Sequence, residues 1–192
     1  MKLILASKSP RRRELLSMIN LDFEVEVCGD PEIVPSNASP EEIVCALGLQ
    51  KAESIFKKHP NDCVIGADTL VFFDDTRLGK PRDTNEARDY LRRLQGRSHR
   101  VLTGLALIYP NGRDVRVCET EVTFAPMTQV EIDRYVSTGE PMDKAGAYGI
   151  QGPGGIFVTG VKGNYFNVMG MPIQLLYQML VDAKLWKRFC RI

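Results

Sequence analysis

Hydrophobic residues follow strand-like spacing in some segments of the chain and helix-like spacing in others. A short apolar run over 2–6 predicts a buried strand, and leucines at helical spacing predict a helix over 11–19. Alternation of apolar and acidic residues over 23–27 predicts a half-exposed strand. The continuous apolar run 63–67, which continues extended to about 73, predicts a central strand.

Capping signals locate the longer helices. Ser39, Asp83 and Thr128 are each followed three residues later by glutamate, which predicts a capping box at the start of a helix. The first of these helices is expected over 40–57, because Pro40 suits the first helical position. Pro172 predicts the start of a C-terminal helix that runs to about 186.

A long hairpin determines the class of sheet. Extended segments over 100–109 and 114–124 flank a Pro-Asn-Gly turn, and a further strand is predicted over 156–161. The hairpin excludes an all-parallel sheet, and no repeat or linker interrupts the chain. The sequence therefore predicts an α/β fold, a central mixed β-sheet flanked by helices, in one domain over 1–192.

Composition excludes several classes of protein. The 192 residues are 44% hydrophobic, and 25 basic side chains balance 24 acidic ones, so a general polyanion-binding surface is not indicated. No apolar run approaches the roughly 18 residues of a membrane span, and arginines follow the N-terminal apolar stretch, the wrong order for a signal peptide. The five cysteines form no close pair and are predicted to be reduced thiols of a cytoplasmic protein.

The segment between the first strand and the first helix is a candidate phosphate site. It contains Ser7, Lys8, Arg11 and Arg12. Hydroxyls, cations and the amides of a helix N-terminus favour a phosphate group, and ligands of α/β sheets lie beyond the carboxyl ends of strands. A solvated surface turn explains these residues equally well.

Asp68 follows the buried run 63–67 and is a candidate metal ligand. A carboxylate there must be hydrogen-bonded, neutral or paired with a cation, and a divalent metal, Lys51 or Lys80 would meet that need. A simple turn opener is the alternative, and spacing alone favours it. Glu32, in the loop after the second strand, is a weaker second ligand.

Two further segments carry candidate ligand groups. Gly79-Lys80-Pro81 is not a P-loop and by itself indicates a turn. The glycine-rich stretch 144–152 lets a ligand approach the backbone, and Tyr148 or Gln151 could stack on or hydrogen-bond a base. A flexible loop is the alternative.

Taken together, these segments resemble the Maf family of nucleoside triphosphate pyrophosphatases. The matching blocks are LASKSPRR, GADTLV, GKP, GRSHRVLTGLAL, GEPMDKAGAYGIQG and NYFNVMGMP, in the family's order over residues 5–172. The resemblance implies two lobes with a cleft, similar to inosine triphosphate pyrophosphatases. It also implies hydrolysis of a nucleoside triphosphate to the monophosphate and pyrophosphate with Mg²⁺ or Mn²⁺.

Three positions distinguish branches of the family by substrate. At these positions Arg11, Thr69 and Gln151 resemble the residues of the branch that acts on dTTP and UTP. Whether modified pyrimidine triphosphates are also substrates is left open. The branch that acts on 7-methyl-GTP is expected to carry a bulky aromatic residue, a glutamine and a glutamate there. Segment 29–31 is less acidic than in many relatives, so Asp68 is the stronger metal candidate and Glu32 the weaker.

The resemblance also implies roles for individual side chains. Asp68 would be catalytic, either as general base or by orienting metal-bound water, and would hold the metal with Glu32. The phosphate-binding set would be Ser7, Lys8, Arg12, Lys51 and Lys80. The expected partner is the nucleotide, not nucleic acid or a membrane, and a homodimer is left open. The alternative is a nucleotide-binding regulator of septum formation with incidental turnover.

Overall fold

The computed structural model describes residues 1–27, 29–74 and 76–190, and within them seven strands form one sheet. The order is β2-β1-β3-β5-β6-β7, and β4 pairs with β3. β1 is parallel to β2 and β3, whereas the β3–β4 and β6–β7 pairs are antiparallel, which confirms the predicted mixed sheet. The strands are β1 Leu3–Ala6, β2 Glu24–Glu26, β3 Cys63–Phe73, β4 Thr76–Leu78, β5 Ser98–Tyr109, β6 Gly112–Phe124 and β7 Val158–Lys162.

Helices flank the sheet as predicted, and two of the three predicted capping boxes are complete. Ser39 and Thr128 each exchange hydrogen bonds with the glutamate three residues on. Asp83 caps its helix, but the Glu86 carboxylate accepts from the amide of Arg82 instead, so that prediction is half right. The helices are α1 Pro10–Met18, α2 Pro40–Phe56, α3 Thr84–Leu94, α4 Gln129–Ser137, α5 Tyr165–Val168, α6 Ile173–Asp182 and α7 Trp186–Phe189.

Three element predictions need correction. Val25 and Val27 are exposed, because β2 is a three-residue strand at the end of the sheet order. The last strand begins at Val158, after a 3-10 turn that leaves Ile156 exposed. The C-terminal helix ends at Asp182, and Lys184, with a φ of 59°, separates it from α7.

The chain divides into two compact units, each made of several segments. The first contains Met1–Asp68, Thr103–Cys118 and Gly170–Ile192, and the second contains Thr69–Leu102 and Glu119–Met169. The single-domain organisation stays a prediction. No helix in the described ranges is long and apolar enough to span a bilayer. Cys45, Cys63, Cys118 and Cys190 are free thiols, and Cys28 lies outside the described residues.

In the first unit, α2 lies directly on the sheet backbone because glycines face each other there. A Cβ on Gly48 of α2 would lie 2.6 Å from the carbonyl oxygen of Gly104 on β5. A Cβ on Gly104 would overlap the Val44 carbonyl, and one on Gly66 of β3 would overlap the Gly48 carbonyl. These three glycines allow a separation that no other residue type permits.

The core of the second unit is built from both sheet and helix residues and contains a histidine. His99 Nε2 lies 2.8 Å from the Tyr148 hydroxyl, and both rings pack edge-on against Phe124. Burial lowers the pKa of His99 to about 4, so the imidazole is neutral at physiological pH. The amide of Asn167 donates to the Val101 carbonyl at 2.9 Å and so ties α5 to β5.

We expect Gly104→Ala to lower the free energy of unfolding by about 3 kcal/mol, because the added methyl group would overlap backbone atoms of α2. Urea denaturation measures the change. Gly160→Ala on β7 is the matched control, since its Cβ would make an ordinary contact of 3.7 Å with Thr123. Equal stability of the two variants would contradict the close packing of α2.

Candidate active site

Lys51 joins two carboxylates in the first unit. Its Nζ forms an ion pair with Asp68 Oδ1 and lies 3.0 Å from Glu32 Oε1. The side chains of Lys51 and Asp68 are largely buried, whereas that of Glu32 is about half exposed. The sequence left open whether a metal, Lys51 or Lys80 accompanies Asp68, and the structure places Lys51 there.

Asp68 does not open a turn, so that alternative is wrong. The residue lies in the middle of β3, which continues without a break from Cys63 to Phe73. Backbone hydrogen bonding within the sheet therefore fixes the Asp68 main chain. Asp68 is 8% exposed, and a buried carboxylate is stabilised by a nearby positive charge.

The glycine contact of α2 with the sheet is what brings Lys51 to Asp68. Gly48 lies one turn before Lys51 on α2, and its Cβ position would be 3.5 Å from the backbone nitrogen of Asp68. A helix held further away by side chains would carry the ammonium group away from the strand. The sequence signal was a glycine inside a helix facing glycines inside strands, and sequence reasoning did not use it.

Gln50 fixes the loop that carries Glu32. Its side-chain amide accepts a hydrogen bond from the Ile33 backbone nitrogen at 2.9 Å and donates one to the Ile33 carbonyl at 2.6 Å. Because Gln50 and Lys51 are neighbours on α2, the helix positions both the ammonium and the loop opposite it. Sequence reasoning missed Gln50, since no pattern distinguishes it from a solvated helix residue.

Arg12 is the second buried cation of this unit. Its Nε donates to the Gly170 carbonyl at 2.8 Å, and its Nη1 donates to Ser7 Oγ at 3.1 Å. Burial lowers the pKa of the Arg12 guanidinium, and the negative charges of Asp68 and Glu32 oppose this effect. Arginine stays protonated under such conditions, so Arg12 adds a fixed positive charge to the cluster.

The segment 7–12 matches only in part the solvated surface turn that was the alternative interpretation of its sequence. Ser7 and Arg12 are buried, and Ser7 Oγ also accepts a hydrogen bond from the Ser9 amide at 3.2 Å. Lys8 is exposed, and Arg11 is partly buried. The segment leads into α1, which begins at Pro10, one residue before the predicted start at residue 11.

The other predicted site residues belong to the second unit. Thr69 follows Asp68 on β3 and is partly buried, whereas Lys80 and Gln151 are exposed. The amide of Gly146 donates to the Gly79 carbonyl at 3.1 Å, so the segment before Lys80 and the glycine-rich stretch are in contact. Two motifs that were separate in the sequence are therefore neighbours in this unit.

Tyr148 cannot be the residue that contacts a base. It is 5% exposed, its hydroxyl is bonded to His99, and burial raises its pKa. That candidate is wrong, and the reason is that its ring belongs to the core of the unit. Of the two candidate base contacts, Gln151 is the one whose side chain reaches solvent.

The acidic groups of the cluster suit a hard divalent cation. Among the described residues, no group of three or more His, Cys, Asp or Glu side chains is placed to hold a metal ion. Two carboxylates, Asp68 and Glu32, do converge on one cationic nitrogen. Mg²⁺ is typically held by one or two carboxylates, with the other ligands from water and substrate phosphates. The donor set therefore fits Mg²⁺ or Mn²⁺.

Fold and site together define a class: a mixed-sheet α/β protein with a buried strand carboxylate, Asp68, beside two cationic side chains, Lys51 and Arg12, carried by helices that flank the sheet. The solved structure of the Staphylococcus aureus Ham1 protein shares this fold, with a TM-score of 0.55 and 15% sequence identity over 95% of this chain and all of that one. A family model described as Maf-like protein matches residues 2–183. The chain belongs to the Maf family.

Curated relatives match over nearly their full length. A protein of Bacillus cytotoxicus named dTTP/UTP pyrophosphatase is 48% identical over 179 residues, which are 93% of this chain and 94% of that protein. A Geobacillus protein of the same name is 48% identical over 172 residues, or 90% of this chain and 92% of that protein.

We expect Lys51→Met to lower the free energy of unfolding at neutral pH by about 2 kcal/mol, because Asp68 would lose the ammonium that contacts it. Thermal or urea denaturation measures the change. Lys57→Met, at the exposed C-terminal end of the same helix, should change stability by less than about 0.5 kcal/mol. A Lys51→Met protein as stable as the wild type would show that the ion pair contributes nothing.

Proposed function

We propose that this protein is a nucleoside triphosphate pyrophosphatase that hydrolyses dTTP and UTP to the monophosphate and pyrophosphate. The observation that carries the proposal is the buried Asp68, paired with Lys51, in a cluster that also includes Glu32 and Arg12. The names of relatives 48% identical over most of the chain support the substrate.

The cations of the cluster suit a triphosphate. Such a substrate brings roughly four negative charges, which must be neutralised before a nucleophile can approach the α-phosphorus. Arg12 and Lys51 supply fixed charge, and Ser7 supplies a hydroxyl beside Arg12. Lys8 and Lys80, both exposed, are proposed as further phosphate contacts.

Asp68 is proposed to accept the proton of the attacking water. The water oxygen forms a bond to the α-phosphorus, and the bond from the α-phosphorus to the bridging oxygen breaks, so that pyrophosphate leaves with the electron pair. Lys51 holds the Asp68 carboxylate in place through their ion pair before the reaction. Neighbouring cations then stabilise the charge that develops on the leaving group.

Glu32 and Asp68 are proposed to hold the divalent cation. When bound, Mg²⁺ or Mn²⁺ would neutralise phosphate charge and polarise the phosphorus–oxygen bonds. Gln50 supports this role of Glu32, because its two hydrogen bonds to Ile33 restrain the loop next to the carboxylate.

Base preference is proposed to involve Gln151, with Arg11 and Thr69 contributing pocket shape and charge. A uracil or thymine edge offers two carbonyl acceptors and one N–H donor. A glutamine amide can answer both kinds of group, whereas an ionised glutamate can only accept. The exposed side chain of Gln151 is compatible with this contact.

A regulatory nucleotide-binding protein with incidental turnover is the less favoured alternative. In a protein that only binds the nucleotide, a buried carboxylate beside the cations would repel the phosphate groups and weaken binding. The relatives cited above are named for a pyrophosphatase activity.

We expect the purified protein to release pyrophosphate from UTP and dTTP with a kcat/KM at least about tenfold above that for GTP or ATP, or about 1.4 kcal/mol of discrimination. The assay is pyrophosphate release from each nucleotide with Mg²⁺ or Mn²⁺ present. Equal rates on UTP and GTP would refute the proposed base preference.

Asp68→Asn is the control for that assay. The substitution is nearly isosteric, but it removes both the proton acceptor and a negative metal ligand. Its kcat should fall below about a tenth of the wild-type value, a loss of more than ~1.4 kcal/mol, with an unchanged circular dichroism spectrum. Greater residual activity would remove Asp68 from the catalytic role.

Activity is expected to depend on a hard divalent cation. Exhaustive EDTA treatment should abolish pyrophosphate release, and Mg²⁺ or Mn²⁺ should restore it, because carboxylate oxygens suit these ions. Calorimetric titration of Mn²⁺ into wild type and Glu32→Gln provides a readout independent of turnover, with weaker binding expected in the variant. Full activity without metal would contradict the proposal.

A further inference from the structure

The segment around Gln151 contains neither helix nor strand from 148 to 152, yet a side chain that selects a base must be held in place. Loops without regular structure are mobile unless specific contacts fix them. The contacts that fix this loop come from Tyr135 on α4 and from Glu140 just after it, and all of them lie within the second unit.

Two backbone amides, one on each side of Gln151, donate to this pair of side chains. The Gly149 amide donates to the Tyr135 hydroxyl at 3.1 Å, and the Gly154 amide donates to Glu140 Oε2 at 2.9 Å. Burial and the nearby Glu140 carboxylate both raise the pKa of the Tyr135 hydroxyl, which keeps this group protonated. The hydroxyl and the carboxylate thus each accept one backbone amide of the loop.

Three glycines let the loop close around these side chains. A Cβ on Gly152 would overlap the Glu140 carboxylate, and one on Gly154 would overlap the Tyr135 hydroxyl. A Cβ on Gly149 would lie 3.1 Å from Glu140 Oε1 and 2.7 Å from Cε of Lys144. The loop thus follows the shape of the carboxylate and the hydroxyl, which explains why glycines surround Gln151.

The pair is itself firmly anchored. Tyr135 is 4% exposed and packs against the Phe157 ring, with centroids 5.6 Å apart. The Lys144 ammonium donates to the backbone carbonyl of Glu140 at 2.9 Å and so holds the turn Glu140–Asp143 in place. Displacement of the Glu140 carboxylate would therefore move the loop and leave the rest of the turn unchanged.

We propose that Glu140 is a positioning residue for base selection, which acts with Tyr135 to fix the loop 149–154 and thereby the Gln151 side chain. The inference rests on the proposed function, in which Gln151 contacts the uracil or thymine base. Glu140 does not touch the substrate, and its effect is on selectivity among bases. Phosphate binding by the cation cluster of the first unit is independent of it.

The test compares Glu140→Gln, Tyr135→Phe and a control. Glu140→Gln removes the negative charge of the acceptor and so weakens the hydrogen bond from the Gly154 amide. Tyr135→Phe removes the hydroxyl between Gly149 and Glu140. Glu131→Gln is the matched control, because Glu131 is on the same helix as Tyr135 and, within the described ranges, its carboxylate accepts hydrogen bonds from the capping residue Thr128 alone. Circular dichroism and thermal melting verify that each variant is folded.

The expected result is a loss of discrimination that a purely structural role would not produce. The ratio of kcat/KM for UTP to that for GTP should fall at least about fivefold in Glu140→Gln and in Tyr135→Phe, and Gln151→Glu should show the same direction of change. Inhibition by inorganic tripolyphosphate, which has no base, should change less than twofold. Glu131→Gln should keep the wild-type ratio. The double variant should lose no more selectivity than either single variant, since both act on one loop.

Equilibrium binding separates this inference from the proposed function. In an Asp68→Asn background, calorimetry gives the dissociation constants of UTP and GTP without turnover. Absence of UTP hydrolysis by the wild type would refute the proposed function, and the ratio of the two constants would still test Glu140. Three results would overturn the inference. The first is an unchanged ratio of the UTP and GTP dissociation constants in both variants, and the second is an equal loss of affinity for both nucleotides. The third is equal affinity for UTP and GTP in the protein that retains Glu140 and Tyr135.

Discussion

The close contact between α2 and the sheet is the constraint on which the candidate site depends. Gly48, Gly66 and Gly104 remove side chains from the contact, so that backbone meets backbone. The position of Lys51 relative to Asp68 follows from this separation, and the position of the Glu32 loop follows through Gln50. Packing at one face of one helix thus determines which charges meet, and the electrostatics of the cluster is a consequence.

The cluster combines groups of opposite charge that would each be unfavourable alone in a buried position. Asp68 is accompanied by Lys51, and the charge of Arg12 is balanced in part by Asp68 and Glu32. Buried charges persist when they are paired and hydrogen-bonded, and Arg12 meets this condition through Gly170 and Ser7. The core of the second unit contains neutral polar pairs instead: His99 with Tyr148, and Asn167 with Val101.

Much of the fold could be predicted from local signals. The caps at Ser39 and Thr128 and the mixed sheet are confirmed, because capping chemistry and periodicity act over a few residues. The exposure of Val25 could not be predicted, since the sequence does not say which strand lies at the edge of a sheet. The burial of Tyr148 was missed because its hydrogen-bond partner, His99, is 49 residues away in the sequence.

The sequence was enough to name several residues of the candidate site, but it did not show how their side chains are arranged in space. Asp68 and Lys51 were both named from the sequence, yet their pairing depends on glycines in three separate elements. Gln50 and Glu140 carry no signal of their own, because a polar side chain on a helix or turn is usually solvated. Only the backbone groups that they bind, Ile33 and Gly154, reveal their roles.

The position of Lys51 between two carboxylates has a consequence for the protein before any ligand arrives. The lysine acts as a built-in counter-ion, so Asp68 and Glu32 do not repel each other without compensation. The charge of the two carboxylates is thus compensated by the chain's own lysine, unlike in domains whose acidic or thiolate clusters are held together by an ion. We therefore expect the site to assemble from residues of the chain itself before a divalent cation binds.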